Sequence, residues 1–316
     1  MTEYLPEGGI INSAANKAAL QNILSLQGAQ QNGTILEAKA AVCTAGHDLL
    51  LDLGDIKGVI PRTEGAIGIE SGETRDIAII SRVNKPVCFR VLGFEHDGSG
   101  RKRAICSRRA AQESCVSEYL SKLVPGDVIP AAVTHMESFG CFADIGCGIS
   151  SLLPIDSISV SRIGHPGDRF RTGQNIFVVV SGRDESGRIC LSHKELLGTW
   201  EENAAAFSPG ETVGGIIRSV EDYGVFVELT PNLAGLAEPH EGVTEGSQAS
   251  VYIKNIVPEK MKIKLVIIDV FNSPDVTSGV KYFFKESHMD KFIYSPENSI
   301  KVIETDFKSC PSYSLV

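Results

Sequence analysis

Short runs of alternating apolar and polar residues recur along the chain and dominate its pattern. Clear examples are NIFVVVSG at 175–182, SVYIKNIV at 250–257 and KIKLV at 262–266. A period of two is typical of β-strands with one buried face. Turn sequences such as RDESGR separate these runs. Many short strands divided by such turns predict an all-β-dominated protein built from small barrels.

Two stretches with helical spacing interrupt the strands, RRAAQESCVSEYLSKLV at 108–124 and KELLGTWEENAAAF at 194–207. Apolar side chains recur at every fourth position, which is typical of a helix with one packed face. A Pro-Gly step follows each stretch, and such a step ends a helix. We therefore expect two short helices that serve as packing spacers. Their apolar positions are Ala111, Cys115, Tyr119 and Leu123, and Leu196, Trp200, Ala204 and Phe207.

The middle of the chain contains a gapless internal repeat. PGDVIPAAVTHMESFGCFADIGCGISSLL at 125–153 aligns with PGETVGGIIRSVEDYGVFVELTPNLAGLA at 209–237. In this register the motif FGCF of the first sequence coincides with YGVF of the second. Each copy continues into the alternating runs described above, which completes a series of five strands. A repeated unit of five short strands predicts two copies of one small closed barrel.

A fainter copy precedes these two. GTILEAKAAVCTAGHDLLLDLGDIKGVIP at 33–61 aligns with the first of them after one single-residue gap, and KPVCFRVLGF and RAICS supply its later strands. His47 and Leu50 stand where Phe139 and Phe142 stand in the next copy. The chain is therefore expected to contain three tandem barrels, of which the first lacks the aromatic pair.

These patterns divide the chain into barrels, linkers and terminal segments. The last 46 residues contain no clear repeat and are expected to form a small strand-helix piece or a partly ordered tail. The expected segments are an N-terminal helical segment (1–32), a degenerate first barrel (33–109), a linker helix (110–124), a second barrel (125–195), a linker helix (196–207), a third barrel (208–270) and a C-terminal extension (271–316).

The stretch ESFGCFADIG contains two aromatic residues whose spacing does not suit one face of a regular strand. Phe139 and Phe142 are three residues apart, and in a regular strand such residues point to opposite faces. Glycine within a strand often marks a bulge, and a bulge at Gly140 would bring both rings to one face. Two exposed aromatic rings can stack on nucleic-acid bases, at about 1–3 kcal/mol per base. Packing of one or both rings in the barrel core is the alternative that spacing leaves open.

Charge gives a second indication. The net charge of −9 argues against extensive coating of nucleic acid, because phosphate affinity depends on Lys and Arg. PEKMKIKLV nevertheless alternates, so that Lys260, Lys262 and Lys264 share one face of the predicted strand. Such a row can follow a phosphate backbone. A solvated strand face that keeps the domain soluble is the alternative.

Taken together, these sequences resemble the RNA-binding repeat of bacterial ribosomal protein S1, an OB-fold module. The resemblance is carried by the repeat at 125–153, by GDRFRTGQNIFVVVSGRDESGRICLSHKELLGTWEE, and by the copy at 209–266. The junction LLGTWEENAAAFSPGETV is similar to that of short S1-like proteins of clostridial-type bacteria. The resemblance implies three tandem five-stranded OB-fold barrels joined by short α-helices, with a small C-terminal extension.

The resemblance also implies which residues face RNA. In that family the two aromatics around the glycine, a histidine after the third strand, and an Asp and an Arg in the last turn line the RNA face. The histidine position reads Pro154 in one copy and Glu238 in the other, and Pro258 stands where the Asp would be. Carried over to this chain, the resemblance implies Phe139, Phe142, Asp184 and Arg188 in the second barrel, and Tyr223, Phe226 and Lys262 in the third. Position and charge in the sequence add His135 in the second barrel, and Arg218, Lys260 and Lys264 in the third, as expected RNA-binding residues. For His135 a plain surface or packing role is the alternative.

The predicted function is non-catalytic binding of single-stranded RNA, with mRNA at the ribosome as the expected target and the small ribosomal subunit as a further partner. The alternative is a protein–protein adaptor that docks on the ribosome or an RNA-processing complex, with RNA contact incidental. Motifs for nucleotide loops, metalloproteases, serine hydrolases and paired-cysteine metal sites are missing from the sequence. We therefore expect no enzyme activity, cofactor, metal or small-molecule substrate.

The expected compartment is the bacterial cytoplasm. The longest apolar runs are far shorter than the about 20 residues that cross a bilayer, so no membrane partner is expected. The N-terminal sequence MTEYLPEGG lacks the basic start and apolar core of a signal peptide. Eight cysteines without a CxxC pair are expected to be buried, reduced thiols.

Overall fold

A computed structural model of the chain describes residues 4–54, 56–98, 100–271 and 280–308. Within these residues, fifteen of the strands form three closed five-stranded barrels. In the first and third barrels the strand order 1-2-3-5-4, with one parallel pair between strands 3 and 5, is that of an OB-fold. The predicted all-β fold of three tandem barrels is therefore confirmed.

The N-terminal segment contains two short helices, α1 (Ala14–Leu20) and α2 (Ile23–Gln31). Side chains cap both of them: the Ser13 hydroxyl accepts a hydrogen bond from the amide of Asn16, and Asn22 caps α2 in the same way. Leu26 and Ala29 of α2 belong to the apolar core of the first barrel. Helix α2 therefore packs on this barrel.

The first barrel is built on inward-facing aliphatic side chains that alternate along its strands. A four-residue helix, α3 (Ile77–Ile80), lies between its third and fourth strands. The last two strands match those predicted from KPVCFRVLGF and RAICS. Its strands are β1 (Leu36–Cys43), β2 (Leu49–Asp52), β3 (Lys57–Ile60), β4 (Pro86–His96) and β5 (Lys102–Ser107).

Helix α4 (Arg108–Glu118) follows directly, capped by the Ser107 hydroxyl. The helix predicted to reach residue 124 ends earlier, because Tyr119 leaves the α-helical conformation with φ −123° and ψ −65°. A 3₁₀ turn at Leu120–Lys122 continues the chain.

The second barrel has the same five-strand plan. The strand order is β10-β8-β7-β6-β9. Its strands are β6 (Val128–Glu137), β7 (Gly140–Asp144), β8 (Ser150–Pro154), β9 (Asn175–Arg183) and β10 (Ile189–Ser192).

The predicted continuous helix at 194–207 is wrong. A 3₁₀ turn (Lys194–Leu197) and helix α5 (Trp200–Ala204) are separated at Gly198, which has a φ of +85°. A φ of this sign lies outside the α-helical region and is readily adopted only by glycine, so the helix cannot continue through Gly198. Thr199 then starts α5 with a capping box that includes Glu202.

The third barrel closes in the order β11-β12-β13-β15-β14. Strand β15 extends to Phe271, beyond the predicted end at residue 266, because it stays paired with β14 as far as Gln248. The strands are β11 (Thr212–Glu221), β12 (Gly224–Thr230), β13 (Leu233–Ala237), β14 (Gln248–Val257) and β15 (Lys262–Phe271).

Residues 280–308, hereafter the strap, form the described part of the predicted C-terminal extension. Within it β16 (Lys291–Ile293) pairs with β17 (Glu304–Asp306), and the structure has no helix in these residues. Four strap side chains join one cluster of buried residues with the core of the third barrel and with Trp200. They are Met289, Phe292, Tyr294 and Phe307.

The described residues group into two compact units. The described residues up to 123, with 130–132 and 144–150, belong to one unit, and the other described residues, from 124 to 308, belong to the second. No helix within the described ranges is both long and apolar enough to span a membrane. The seven cysteines of the described ranges are free thiols, five of them buried and two, Cys43 and Cys190, partly exposed; Cys310 lies outside the described residues.

Candidate nucleic-acid interface

The aromatic residues of FGCF lie at a hairpin turn. Strand β6 ends at Glu137, Ser138 and Phe139 form the turn, and β7 begins at Gly140. The predicted bulge at Gly140 is therefore wrong. Phe139 belongs to the turn and Phe142 to the following strand, so the rule of opposite faces within one strand does not apply to them.

The third barrel repeats this hairpin. Glu221 pairs with Gly224 and closes a two-residue turn that contains Tyr223. The register of this strand pair does shift, but at Arg218 on β11, between Ile217 and Ser219. The bulge therefore lies on the strand opposite the aromatic motif.

Close approach of the third strand requires glycine in both hairpins. A Cβ atom added at Gly140 would lie 2.5 Å from the carbonyl oxygen of Leu153. A Cβ at Gly224 would meet the carbonyl oxygen of Ala237 in the same way. The glycine of the repeated motif thus lets the neighbouring strand pass directly beneath the aromatic pair.

The two aromatic pairs have the same geometry. The ring centroids of Phe139 and Phe142 are 6.2 Å apart at an interplanar angle of 87°, and those of Tyr223 and Phe226 are 6.2 Å apart at 88°. Such edge-to-face contacts are favourable for aromatic rings. Phe139 is 55% exposed and Tyr223 66% exposed, while their partners are half-buried. Each barrel therefore presents an exposed ring held against an anchored one.

His135 extends the pair of the second barrel. Its ring is nearly parallel to that of Phe142, with centroids 6.5 Å apart and an interplanar angle of 21°. Its Nε2 atom lies 2.6 Å from Oε1 of Glu137. The structure thus brings the predicted residues His135, Phe139 and Phe142 together on one surface.

Asp184 and Arg188 lie in the turn between β9 and β10. Asp184 accepts hydrogen bonds from the amides of Ser186 and Arg188, and its Oδ2 is 2.8 Å from Nε of Arg188. The amide of Arg188, together with its side chain, holds the pKa of Asp184 below its usual range. The side chain of Arg188 remains 78% exposed, so it can donate to a phosphate from this turn.

The outer face of the third barrel carries a row of residues in register. Phe226 on β12 pairs with Leu236 on β13, which pairs with Lys264 on β15, which pairs with Asn255 on β14. Adjacent strands are about 4.8 Å apart, so Lys264 lies about 10 Å across the sheet from Phe226. Lys262 occupies the next outward position of β15. Sequence reasoning missed Leu236 and Asn255, because their place follows from the cross-strand register alone.

Lys260 does not share the strand face with Lys262 and Lys264. It lies in a 3₁₀ turn, Pro258–Lys260, and Met261 follows in the left-handed conformation with φ 47°. That conformation turns the chain before β15 begins, so the alternation expected from PEKMKIKLV starts at Lys262. Lys260 is exposed beside the row and not part of it.

Arg218 is not on the exposed surface, which corrects its assignment as a phosphate contact. Its side chain is only 7% exposed, and its Nε and a terminal nitrogen donate to the carboxylate of Glu228 at 2.8 and 3.3 Å. Arg169 donates to the same carboxylate, and Asp168 lies 3.6 Å from Arg218. A guanidinium held in this cluster stabilises the fold and does not face solvent.

The first barrel has aliphatic side chains where the others have aromatics. His47 lies in the turn with φ 66° and pairs with Asp76 at 3.2 Å. Leu50 pairs across the sheet with Val42 and Val59, and Val59 pairs with Ile105. Val42 is 49% exposed. This aliphatic row occupies the position of the row through Phe226 in the third barrel.

In the described part of the chain, no group of three or more His, Cys, Asp or Glu side chains is arranged to hold a metal ion.

Comparison with known proteins supports the interpretation of these barrels. Residues 122–194 match the family model of the S1 RNA binding domain. The matched range includes all five strands of the second barrel. The resemblance to ribosomal protein S1 that the sequence motifs indicate is thereby confirmed, and the match includes the hairpin of Phe139 and Phe142.

Curated relatives extend the similarity beyond the second barrel. The small ribosomal subunit protein bS1 of Leuconostoc lactis is 28% identical over 261 residues, covering 77% of this chain and 58% of the relative. The bS1 homolog of Bacillus subtilis is 29% identical over 243 residues, covering 72% and 61%. This chain thus spans less than two thirds of the length of these relatives.

Among solved structures, a multidomain protein with nucleic acid binding domains from Streptococcus pneumoniae matches 75% of this chain and 74% of its own, with 13% identity and a TM-score of 0.25.

Proposed function

We propose that the protein binds single-stranded RNA through its second and third barrels, without catalysis, and that mRNA at the ribosome is the target. The observation that carries the proposal is the same exposed aromatic pair at the same hairpin in both barrels, with ring centroids 6.2 Å apart. One of these barrels matches the S1 RNA binding domain. The bS1 relatives are small ribosomal subunit proteins by name. This proposal places the protein in the cytoplasm.

Binding combines base stacking with phosphate contacts. Bases stack on the exposed rings of Phe139 and Tyr223 and against the anchored rings beside them, at about 1–3 kcal/mol per base. Arg188, Lys262 and Lys264 face solvent and donate to phosphates. Little base preference follows, because every base has a π-face.

Affinity should come from using both barrels at once. The chain has a net charge of −9, so contacts with phosphates contribute little to the RNA affinity of each barrel. Linked sites bind the same strand with effective concentrations of about millimolar. An RNA long enough to reach both barrels should therefore bind much more tightly than a short one.

The test is a titration with fluorescent oligo-U at two salt concentrations. The variant Phe142→Ala with Phe226→Ala removes the anchored ring of each pair and should weaken binding by at least tenfold. Ile300→Ala, at a side chain that is 81% exposed in the strap, is the matched control and should bind as the wild type. Unchanged binding by the double variant would sink the stacking mechanism.

A second function, docking on a protein, is favoured for the first barrel by its aliphatic row. Exposed Val42 with Leu50 offers an apolar surface where the other barrels have aromatics. This barrel would then attach the chain to the small ribosomal subunit while the others hold RNA. Val42→Asp should abolish co-sedimentation with ribosomal subunits and leave oligo-U binding unchanged. Co-sedimentation that persists in this variant argues against docking by this face.

A further inference from the structure

The third barrel carries a further exposed aromatic residue, Tyr252 on β14, which lies outside the aromatic pair. Its neighbours Val251 and Ile253 are fully buried in the barrel core, so Tyr252 points outward. It is 38% exposed.

The strand register connects Tyr252 with the row through Phe226. Tyr252 pairs with Val266 on β15, and Lys264 is the next outward residue along that strand. Lys264 in turn lies in the row that leads through Leu236 to Phe226. With strands about 4.8 Å apart and outward residues about 6.7 Å apart along a strand, the path from Phe226 to Tyr252 is about 18 Å.

Charges along this path suit a phosphate backbone. Lys264 lies between the two aromatic positions, and Lys254, two residues beyond Tyr252, is also exposed. Lys254 is 3.7 Å from Glu238, and an exposed pair of this kind is weak and easily exchanged for a phosphate. Proteins that bind single-stranded nucleic acid combine aromatic rings for stacking with cations for the phosphates. Lys264 and Lys254 beside Phe226 and Tyr252 provide both.

The other barrels show what the same strand position can do. NIFVVVSG and SVYIKNIV align Phe177 of the second barrel with Tyr252. Phe177 is contacted edge-on by the ring of Tyr282 from the strap, with centroids 5.7 Å apart. Within the described residues no aromatic ring contacts Tyr252. The position accepts a ring in one barrel and is open to one in the other.

We propose that Tyr252 is a second base-stacking position of the third barrel, so that single-stranded RNA runs from Tyr223 and Phe226 across Lys264 to Tyr252. This inference rests on the proposed function and extends the binding surface round the barrel to β14. An OB-fold typically covers about 4–16 nucleotides, and a path of this length fits that range.

The experiment uses the full chain with Phe142→Ala, which silences the second barrel. Oligo-U of about three and about ten nucleotides is titrated against this protein, with Tyr252→Leu or Tyr252→Phe added. Leucine keeps the apolar side chain and removes the ring. For the longer RNA Tyr252→Leu should lose about 5- to 150-fold in affinity. Tyr252→Phe should bind both RNAs as the parent does, and the trinucleotide should not distinguish the variants.

The outcomes separate this inference from the proposed function. If Tyr252→Leu binds the longer RNA as tightly as its parent while Phe226→Ala is weakened, Tyr252 is not a stacking position and the proposed function stands. If Phe226→Ala also binds normally, both fail. A Tyr252→Leu variant that changes self-association in sedimentation, with RNA binding intact, identifies a protein contact instead and overturns the inference. Photocrosslinking of 5-iodouridine RNA to the peptide that contains Tyr252 would support it independently.

Discussion

The hydroxyl of Tyr282 lies between the backbone amide of Phe177 and the imidazole of His193. It accepts from the amide at 3.0 Å, and its oxygen is 3.3 Å from Nε2 of His193. Nδ1 of His193 is 2.9 Å from the carbonyl oxygen of Ile158. Because a carbonyl only accepts, Nδ1 carries the proton, and Nε2 accepts from Tyr282. The strap thus fixes the tautomer of a buried histidine in the second barrel.

Removal of this hydroxyl should destabilise the protein. Tyr282→Phe leaves Nε2 of the buried His193 without its partner, and an unsatisfied buried polar group costs about 1–3 kcal/mol. We expect a lower free energy of unfolding of that size in urea denaturation. Tyr223→Phe, which removes an equivalent hydroxyl from an exposed ring, should leave stability unchanged. Equal stability of the two variants would refute the role of the hydrogen bond.

His193 should make stability fall in mild acid. Burial lowers its pKa from 6.5 to about 4, so the unfolded chain binds this proton more readily than the folded one. The stability that neutral His193 contributes to the folded state is fully present above pH 6.5 and is lost as the pH falls towards 4. The free energy of unfolding of the wild type should therefore decrease across this window, by up to about 1.4 kcal/mol per pH unit. His193→Gln should lack that part of the pH dependence.

Glu37 should have the opposite effect. Burial raises its pKa to about 7, although its carboxylate accepts from the amides of Gly8 at 3.1 Å and Ile10 at 3.2 Å. The stability that protonated Glu37 contributes to the folded state is complete below the unfolded pKa of 4.5. It is lost as the pH rises through 7. Between pH 5 and 7 we expect Glu37→Gln to gain stability relative to the wild type, measured by chemical denaturation. A pH-independent difference would contradict the raised pKa.

The hairpin glycine should not tolerate a side chain. In Gly140→Ala the new methyl group would lie 2.5 Å from the carbonyl oxygen of Leu153, so a strand must move. A clash of this kind costs about 1–3 kcal/mol. We expect both a lower midpoint of thermal unfolding and weaker oligo-U binding, because Phe139 moves with the turn. Gly214→Ala, at a strand glycine with open space around it, is the control and should change neither.

The barrels could be predicted because their evidence is local or repeated. Period-two alternation marks strands within a few residues, and the repeat identified the same five-strand unit more than once. The sequence indicates the shared face of Phe139 and Phe142 through a bulge at Gly140, whereas the structure achieves it through a hairpin turn at Ser138 and Phe139. A hairpin turn and a bulge place these rings alike, and the letters FGCF do not distinguish the two.

The sequence predictions fail where contacts with residues far away in the chain, or a local turn, determine the position of a side chain. Arg218 is exposed in the alternating pattern, but Glu228 and Arg169 bury it, and Arg169 comes from the loop of another barrel. Lys260 fits the alternation of β15, yet the left-handed Met261 removes it from the strand. The strap could not be located at all, because its contacts with His193 and Trp200 leave no periodic trace in its sequence.

The place of the strap in the chain has a consequence for biosynthesis. Translation delivers residues in order, so all five strands of the third barrel emerge before Met289, Phe292, Tyr294 and Phe307, which belong to its buried cluster. Until the last of these side chains leaves the exit tunnel, the strands of the third barrel can pair, but the apolar surface that the strap covers stays exposed. Chaperone capture of ribosome-bound chains should therefore peak between residues 271 and 307 of the emerged sequence.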